Sequence, residues 1–322
     1  MRFTKSVDTA GKIANLLGAN NKPEVVHAVN NVDLDVHHGE VVGLVGESGC
    51  GKSTLGRVVA GIYQPTEGQI FFEGNDLHKM GAAELKKETL AVQMIFQDPM
   101  ASLNPRMRVL DIVGEAPVYH GIVKASEKQD HVAEVLERVG LDPVYMRRYP
   151  HQFSGGQRAR IGIARALAVN PRFLVCDESV AALDVSIQAQ VLNLFMKLRA
   201  ELNLTYLFIS HDLSVVRYLS DRVVIMYLGR MVESAPAQRL FEGPNHPYAK
   251  ALLDNVPSLK NRNKRFSTIK GEIPSPLNPP SGCHFHPRCP NAGPRCKREQ
   301  PLLKELAPEH FSACHLNDGG TQ

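Results

Sequence analysis

The stretch Gly46-Glu47-Ser48-Gly49-Cys50-Gly51-Lys52-Ser53-Thr54 fits the spacing G-x-x-x-x-G-K-[ST], and no other feature restricts the fold of this chain as tightly. A short apolar run, Val41–Val45, precedes it, and TLGRVVAGI follows at helical spacing. Strand, glycine-rich loop and helix in that order is the context that turns the spacing into a physical site. The glycines let successive backbone N–H groups point inward around an anion. A helix starting near Gly51 aims the positive end of its dipole at the same charge. Lys52 is placed to reach the β- and γ-phosphates of a nucleotide, and the Ser53 hydroxyl to ligate Mg²⁺. The plain alternative is a glycine-rich turn with a surface lysine, and the flanking strand and helix weigh against it.

A second segment supplies the acids. Phe173-Leu174-Val175-Cys176-Asp177-Glu178 is an apolar strand closed by two adjacent carboxylates. A strand buried in a parallel sheet delivers its last residues to the carboxyl edge, where ligands bind. Asp177 is expected to hold Mg²⁺ through water, and Glu178 to polarise the attacking water as general base. Read alone, the pair would only open the next loop.

At 322 residues the chain exceeds one ordinary domain, so a large α/β body with a smaller appendage is expected. The 43% of hydrophobic residues is ample for a core, and a formal charge of +4 is too mild to argue for nucleic acid. No apolar run approaches the roughly 18–20 residues of a bilayer span, and the first 20 residues lack an adequate apolar signal core. The expectation is a soluble cytosolic chain that docks onto membrane-embedded partners if it serves a membrane process.

Along the body, VVHAVNNVDLDV from Val25 alternates like a half-buried strand. FEGNDL after Phe71 reads as a strand entering a turn, and Val92–Phe96 as a strand ending at Gln97. Between Pro99 and Pro150 the pattern turns helical: Val132, Val135, Leu136 and Val139 share one face, with Gly140 as the stop. Gln157–Val169 reads as a helix closed by Asn170-Pro171. Val191, Leu194, Phe195, Leu198 and Leu202 form another helical face, and Leu207–Ser210 another strand. Val223–Tyr227 and Met231–Glu233 flank Leu228-Gly229-Arg230 as a hairpin. Past about Pro244 the composition shifts, and 271–301 is rich in Pro, Gly and Cys.

Phe153-Ser154-Gly155-Gly156-Gln157, ahead of RARIGIARALAV, resembles the LSGGQ signature of ATP-binding-cassette (ABC) ATPases, with Phe in the Leu position. A serine and two glycines at a helix N-terminus make a second phosphate-accepting nest. The resemblance implies that two cassettes pair head to tail, the signature of each closing over ATP held by the other. Gln97 stands where the family's Q-loop senses Mg²⁺ and relays motion. Asp184, in SVAALD, matches the D-loop residue that contacts the opposite subunit, and His211 the switch histidine of the γ-phosphate. From Val25 to His315, FQDPMASLNPRM, CDESVAALDVSIQAQVLNL, NHPYAKALL and GCHFHPRCP look like the oligopeptide/dipeptide importer ATPases, closer to the F-type partner of the two such importers use.

What this implies is a P-loop NTPase of the α/β class: an ABC cassette over 25–250 with a helical insert subdomain at about 99–150. A segment 1–24 precedes it and a small irregular Cys-rich extension, 251–322, follows. The partners implied are a second cassette subunit in a heterodimer, two transmembrane permeases and, through them, an extracytoplasmic solute-binding protein. Peripheral attachment to the cytoplasmic face of the membrane follows, with no nucleic acid. The chain departs from the family in two places. Nothing aromatic lies between Phe3 and Tyr63 to stack on adenine, Pro23 or a neighbour falling near the expected place, and Ser179 and Ala181 replace the commoner Pro and Ser.

Four of the six cysteines, Cys283, Cys289, Cys296 and Cys314, follow the spacing C-x5-C-x6-C-x17-C in a Pro/Gly-rich segment. In a reducing compartment this reads as metal ligation before disulfides. Resemblance to peptide-importer cassettes implies a [4Fe–4S] cluster. Zinc is the rival, with His284, His286 and His315 nearby, and free thiols are the plain alternative. Arg288, Arg295, Lys297 and Arg298 are expected either to offset thiolate charge or to be solvated.

The leading functional reading is an ATPase that energises import of peptides or a related solute. One alternative is a soluble ABC ATPase of DNA repair or translation, although such chains fuse two cassettes or carry coiled coils. Another is a cassette that binds ATP without hydrolysing it, which would need Lys52, Glu178 or His211 to be lost. Nickel or an oligosaccharide is an alternative cargo.

Overall fold

The computed structural model describes residues 1–5, 24–254, 269 and 271–318. Its strands are β1 (Arg2–Lys5), β2 (Glu24–His27), β3 (Val41–Val45), β4 (Phe71–Phe72), β5 (Asn75–Asp76), β6 (Val92–Ile95), β7 (Phe173–Asp177), β8 (Thr205–Ile209), β9 (Arg222–Tyr227), β10 (Arg230–Pro236), β11 (Lys304–Ala307) and β12 (His310–Ser312). Eight of them form one sheet in the order β11-β12-β10-β9-β3-β8-β7-β6. From β9 to β6 neighbours run parallel, whereas β10, β12 and β11 add an antiparallel flank.

The parallel strands are apolar throughout because both their faces are covered. Side chains alternate across a strand, and here the alternation sorts the core in two. Leu174, Cys176, Tyr206 and Phe208 pack on one face with the helices Gly155–Leu167 and Val185–Leu202. Phe173, Val175, Leu207 and Ile209 pack on the other with the helix Lys52–Val59. Four of the five apolar residues expected on the Val185–Leu202 helix are buried, but Leu202 is exposed at the last turn.

Between β6 and β7 the helices Val109–Tyr119 and Lys128–Arg138 pack together. Val132, Val135, Leu136 and Val139 enter the same cluster as Ile161, so this stretch shares the core of one sheet face. Gly140 has φ 73°, the left-handed turn that ends the helix. The hairpin between β9 and β10 is tighter than the sequence indicates. Leu228 and Gly229, with φ of 41° and 76°, form a two-residue turn, and Arg230 already pairs with Tyr227.

Two expectations change. The alternating run from Val25 is a strand only to His27, and Asn31 beyond it takes φ 50°. Val32, Leu34 and Val36 still pack on the second core cluster, so the pattern reported burial without a ladder. The C-terminal segment, read as irregular, contributes β11 and β12 to the main sheet, with Glu233 opposite Ser312 and Ser234 opposite Phe311.

A buried acid fixes that flank. Glu233 is 0% exposed and accepts from the amides of Asn245 (2.8 Å) and His246 (2.7 Å), with His310 Nε2 at 2.7 Å. An unpartnered buried carboxylate would be costly, so the pairing holds β12 in register. His246 itself is buried, and its Nδ1 accepts the Tyr248 amide at 3.1 Å. Burial lowers its pKa from 6.5 to about 4, so the folded chain keeps the ring neutral while the unfolded chain takes up a proton below pH 6.5. Its contribution is therefore complete above pH 6.5 and is lost as pH falls toward 4, on the order of 3 kcal/mol. Thermal melts from pH 7 to 4 should show this loss. His246→Asn, whose side chain can accept the same amide without titrating, should flatten the slope; an unchanged slope would remove His246 as its source.

Candidate functional site

The loop after β3 is held from outside as well as by its own turns. Gly51 caps the helix Lys52–Val59 at φ 105°, and a Cβ there would stand 2.1 Å from the Ala28 carbonyl oxygen. Only glycine fits. The Gly229 amide donates to the Cys50 carbonyl at 2.8 Å, tying the loop to the β9–β10 turn. Lys52 is 4% exposed, and its Nζ donates to the carbonyls of Gly46 (2.7 Å) and Glu47 (3.0 Å). The ammonium is thus satisfied inside the loop, at the mouth of the amide cradle.

Ser53 Oγ donates to Asp177 Oδ1 at 2.8 Å, so the two residues expected at Mg²⁺ are already in contact. Asp177 is 2% exposed; burial raises its pKa, and the Ser53 hydrogen bond opposes that. Glu178 follows with φ 47°, turning the chain off β7. Its amide donates to the Ile209 carbonyl at 2.9 Å. Its carboxylate accepts Gln97 Nε2 at 2.8 Å and lies 3.3 Å from His211 Nδ1. Gln97, Glu178 and His211 follow β6, β7 and β8, three adjacent strands, so sheet order alone gathers them at the carboxyl edge.

Ser154 caps the helix Gly155–Leu167 through a capping box. Its Oγ accepts the Gln157 amide at 3.3 Å, and Gln157 Oε1 accepts the Ser154 amide at 3.0 Å. A Cβ on Gly156 would meet Ile187 at 2.4 Å, and Gly155 faces Leu183, so the helix start abuts the segment of Asp184. Asp184 is exposed and makes no side-chain cap bond to the helix it precedes. Among the described residues, no hydrogen bond or ion pair joins Ser154–Gln157 to Gly46–Thr54.

Three contacts were not foreseen. Arg288 grips the Glu47 carboxylate with both terminal nitrogens, at 2.7 and 3.0 Å, and donates to Tyr227 Oη at 3.3 Å. Tyr248 Oη accepts the Glu47 amide at 2.9 Å. Arg288 is therefore neither a thiolate counter-charge nor solvated, and Arg295 pairs with Glu299 and Asp318. Arg295, Lys297 and Arg298 are all exposed, as solvated cations would be. The signal available in the sequence was an arginine in an otherwise uncharged motif, GCHFHPRCP. Phe3, the lone aromatic before Tyr63, meets Tyr63 edge to face at 5.7 Å, so the two ends of the gap are joined in space; Pro23 lies outside the described residues.

Cys283, Cys289, Cys296 and Cys314 line one small cavity together with His246, His286 and His315. Among the described residues no group of three or more His, Cys, Asp or Glu is drawn together closely enough to hold a metal ion. Burial pushes the Cys283 thiol up to about 11 and raises those of Cys289 and Cys314. The metal centre expected from the sequence is thus an assembled cysteine set without a formed ligand sphere.

A phosphate loop, a strand-end acid pair and a serine–glycine–glycine helix cap on one mixed sheet define a P-loop ATP-binding cassette. The family described as "ABC transporter" matches residues 29–181, and "Oligopeptide/dipeptide transporter, C-terminal region" matches 232–296. The chain is 54% identical over 295 residues to the oligopeptide transport ATP-binding protein AppF of Bacillus subtilis (strain 168), covering 90% of each chain. It is 49% identical over 286 residues to the oligopeptide transport ATP-binding protein OppF of Salmonella typhimurium, covering 88% of this chain and 86% of that one. A dimeric ATP-binding cassette in a post-hydrolysis state, bound to ADP and Pi, superposes with a TM-score of 0.61 at 28% identity, over 74% of this chain and 99% of the other. The chain belongs to the ABC transporter family, in its oligopeptide/dipeptide transporter branch.

Gly51→Ala should cost about 1–2 kcal/mol in left-handed strain alone, in addition to the contact with Ala28. Titration with a fluorescent ATP analogue should show nucleotide affinity reduced at least tenfold; unchanged affinity would mean that the loop tolerates a side chain there.

Proposed function

We propose that this chain is the ATP-hydrolysing half of a head-to-tail cassette pair that energises import of peptides through membrane subunits. The observation that carries the reading is the meeting of Gln97, Glu178 and His211 beside the Ser53–Asp177 contact. It occurs on a chain whose Ser154 and Gln157 bond to each other and not to its own phosphate loop. Each chain thus supplies half of two sites. Gly46–Thr54 cradles the phosphates, with Lys52 transferring its ammonium from the Gly46 and Glu47 carbonyls to the β- and γ-oxygens. Ser53, Gln97 and Asp177 would hold Mg²⁺, which would supply charge neutralisation to the phosphates when bound. Glu178 accepts a proton from the attacking water, oriented by Gln97, while His211 contacts the γ-phosphate. Ser154–Gln157 and Asp184 of each chain complete the site of the other.

The relatives named for oligopeptide transport support peptide cargo and disfavour the repair or translation alternative. The helices within 99–150 form the insert that relays closure to two permease subunits, and 251–322 forms the C-terminal extension. The second cassette is a different subunit, and a solute-binding protein delivers cargo from outside. Among the described residues no helix is long and apolar enough to cross a membrane; peripheral attachment at the cytoplasmic face is supported by the likeness to transport ATP-binding relatives.

The four cysteines line one cavity, and four thiolates are the ligand set of a [4Fe–4S] group, which we infer ahead of zinc. Arg230, beside Cys283, has a buried Nε and Nη1 without partners, a donor set suited to an anionic thiolate cluster. Cys283, Cys289, Cys296 and Cys314 would hold it, and it would supply a cross-link between loop segments. Anaerobically purified protein should carry about four irons per chain; stoichiometric zinc without iron would reverse the assignment.

Glu178→Gln should retain ATP binding, abolish turnover and trap the closed pair. Steady-state phosphate release by the reconstituted complex checks this, and near-normal hydrolysis would remove Glu178 from the base role. The isolated chain should hydrolyse ATP far more slowly than the paired one, because its signature acts on another chain's nucleotide.

A further inference from the structure

Glu47 presents a difficulty for a loop that binds phosphates. It is the second residue of that loop, its carbonyl accepts Lys52 Nζ at 3.0 Å, and its side chain is a carboxylate. A free negative charge there would repel the nucleotide's phosphates. Both polar ends of Glu47 are instead taken up by distant parts of the chain. Its amide donates to Tyr248 Oη at 2.9 Å, and its carboxylate is held bidentately by Arg288 at 2.7 and 3.0 Å. Arg288 is itself locked: its side chain is 5% exposed, and its amide donates to the Phe285 carbonyl at 3.0 Å. Phe285 is buried against Tyr227 and Tyr248, each at 5.3 Å between ring centroids. Cys289, one wall of the cysteine-lined cavity, is the next residue.

We propose that Arg288 is a positioning residue for the phosphate loop: it cancels the Glu47 charge and braces the loop against the cysteine-bearing segment, so that the order of this segment sets nucleotide affinity. The inference rests on the ATP-binding reading above and assigns the C-terminal segment a role within it. The bidentate fork matters because a guanidinium fixes the plane of a carboxylate, which a point charge does not. The coupling is reciprocal: if the Arg288 brace favours ATP, bound ATP must tighten the brace by the same factor.

The test is ATP affinity of the full chain, measured by titration with a non-hydrolysable analogue and with folding checked by circular dichroism. Arg288→Ala should weaken binding about tenfold or more. Adding Glu47→Gln to it should restore affinity to within about threefold, because the uncancelled charge is then gone; a merely structural role for Arg288 would not be rescued this way. Arg288→Lys, which keeps the charge without the fork, should lose an intermediate amount and serves if the alanine variant fails to fold. In the native chain a bound analogue should slow hydrogen exchange of the Arg288 amide, and the brace variants should lose that protection. Wild-type affinity in a folded Arg288→Ala or Arg288→Lys chain, or no rescue by Glu47→Gln, overturns the proposal. Failure of the unaltered chain to bind the analogue would instead overturn the ATP-binding reading itself.

Discussion

A buried ammonium governs this molecule. Lys52 is almost wholly enclosed, and an enclosed charge persists only where other polar groups replace its water. Two carbonyls of its own loop do this. They can do so only while Gly46 and Gly51 keep backbone angles that place those carbonyls inside the turn, between β3 and the following helix. Phosphate oxygens offer the same ammonium a stronger, charge-assisted partner. The loop is therefore held in one shape by a bond that its ligand is chemically suited to replace. Little reorganisation is then needed at binding.

The parallel sheet sets where everything else stands. Because both faces of β3, β7 and β8 are apolar and covered, the carboxyl edge is the place left for polar side chains. Gln97, Glu178 and His211 therefore follow the three adjacent strands β6, β7 and β8. The Ser53–Asp177 contact joins that edge to the loop. Ser154 and Asp184 begin helices packed on one sheet face, and they cap or project without reaching the loop. The division into a phosphate side and a signature side is thus a consequence of topology.

Most of this edge was legible in the sequence because each part is local. A glycine–lysine–serine spacing, an apolar strand ending in two acids and a serine–glycine cap each report on fewer than ten neighbouring residues. The stretch from Val25 to Val36 shows the limit of such patterns: alternation correctly marks Val32, Leu34 and Val36 as half-buried, yet the ladder that alternation usually signals ends at His27. Strands β11 and β12 were illegible for another reason. Lys304–Ala307 is only four residues long and mostly exposed, and its place at the sheet edge depends on β12, which depends in turn on His310 reaching Glu233, 77 residues away. Pairing at that separation leaves no periodic trace in the segment itself.

The same reasoning explains why Arg288 was misread and why its position matters. Charge near four cysteines suggests thiolates, but buried thiols are neutral, with Cys283 pushed up to about 11, so a nearby guanidinium gains more from a true carboxylate. Glu47 is such a carboxylate, and Tyr227, Tyr248 and Phe285 pack together beside the pair, where the Arg288 side chain is 5% exposed and that of Glu47 23%. Burial of the guanidinium makes the loss of its partner costly. A segment that follows the cassette in sequence is therefore joined to the second residue of its phosphate loop by a contact the loop cannot lose without exposing a repelling charge to its ligand. On this view the C-terminal region is part of the nucleotide site, built onto the sheet's antiparallel flank.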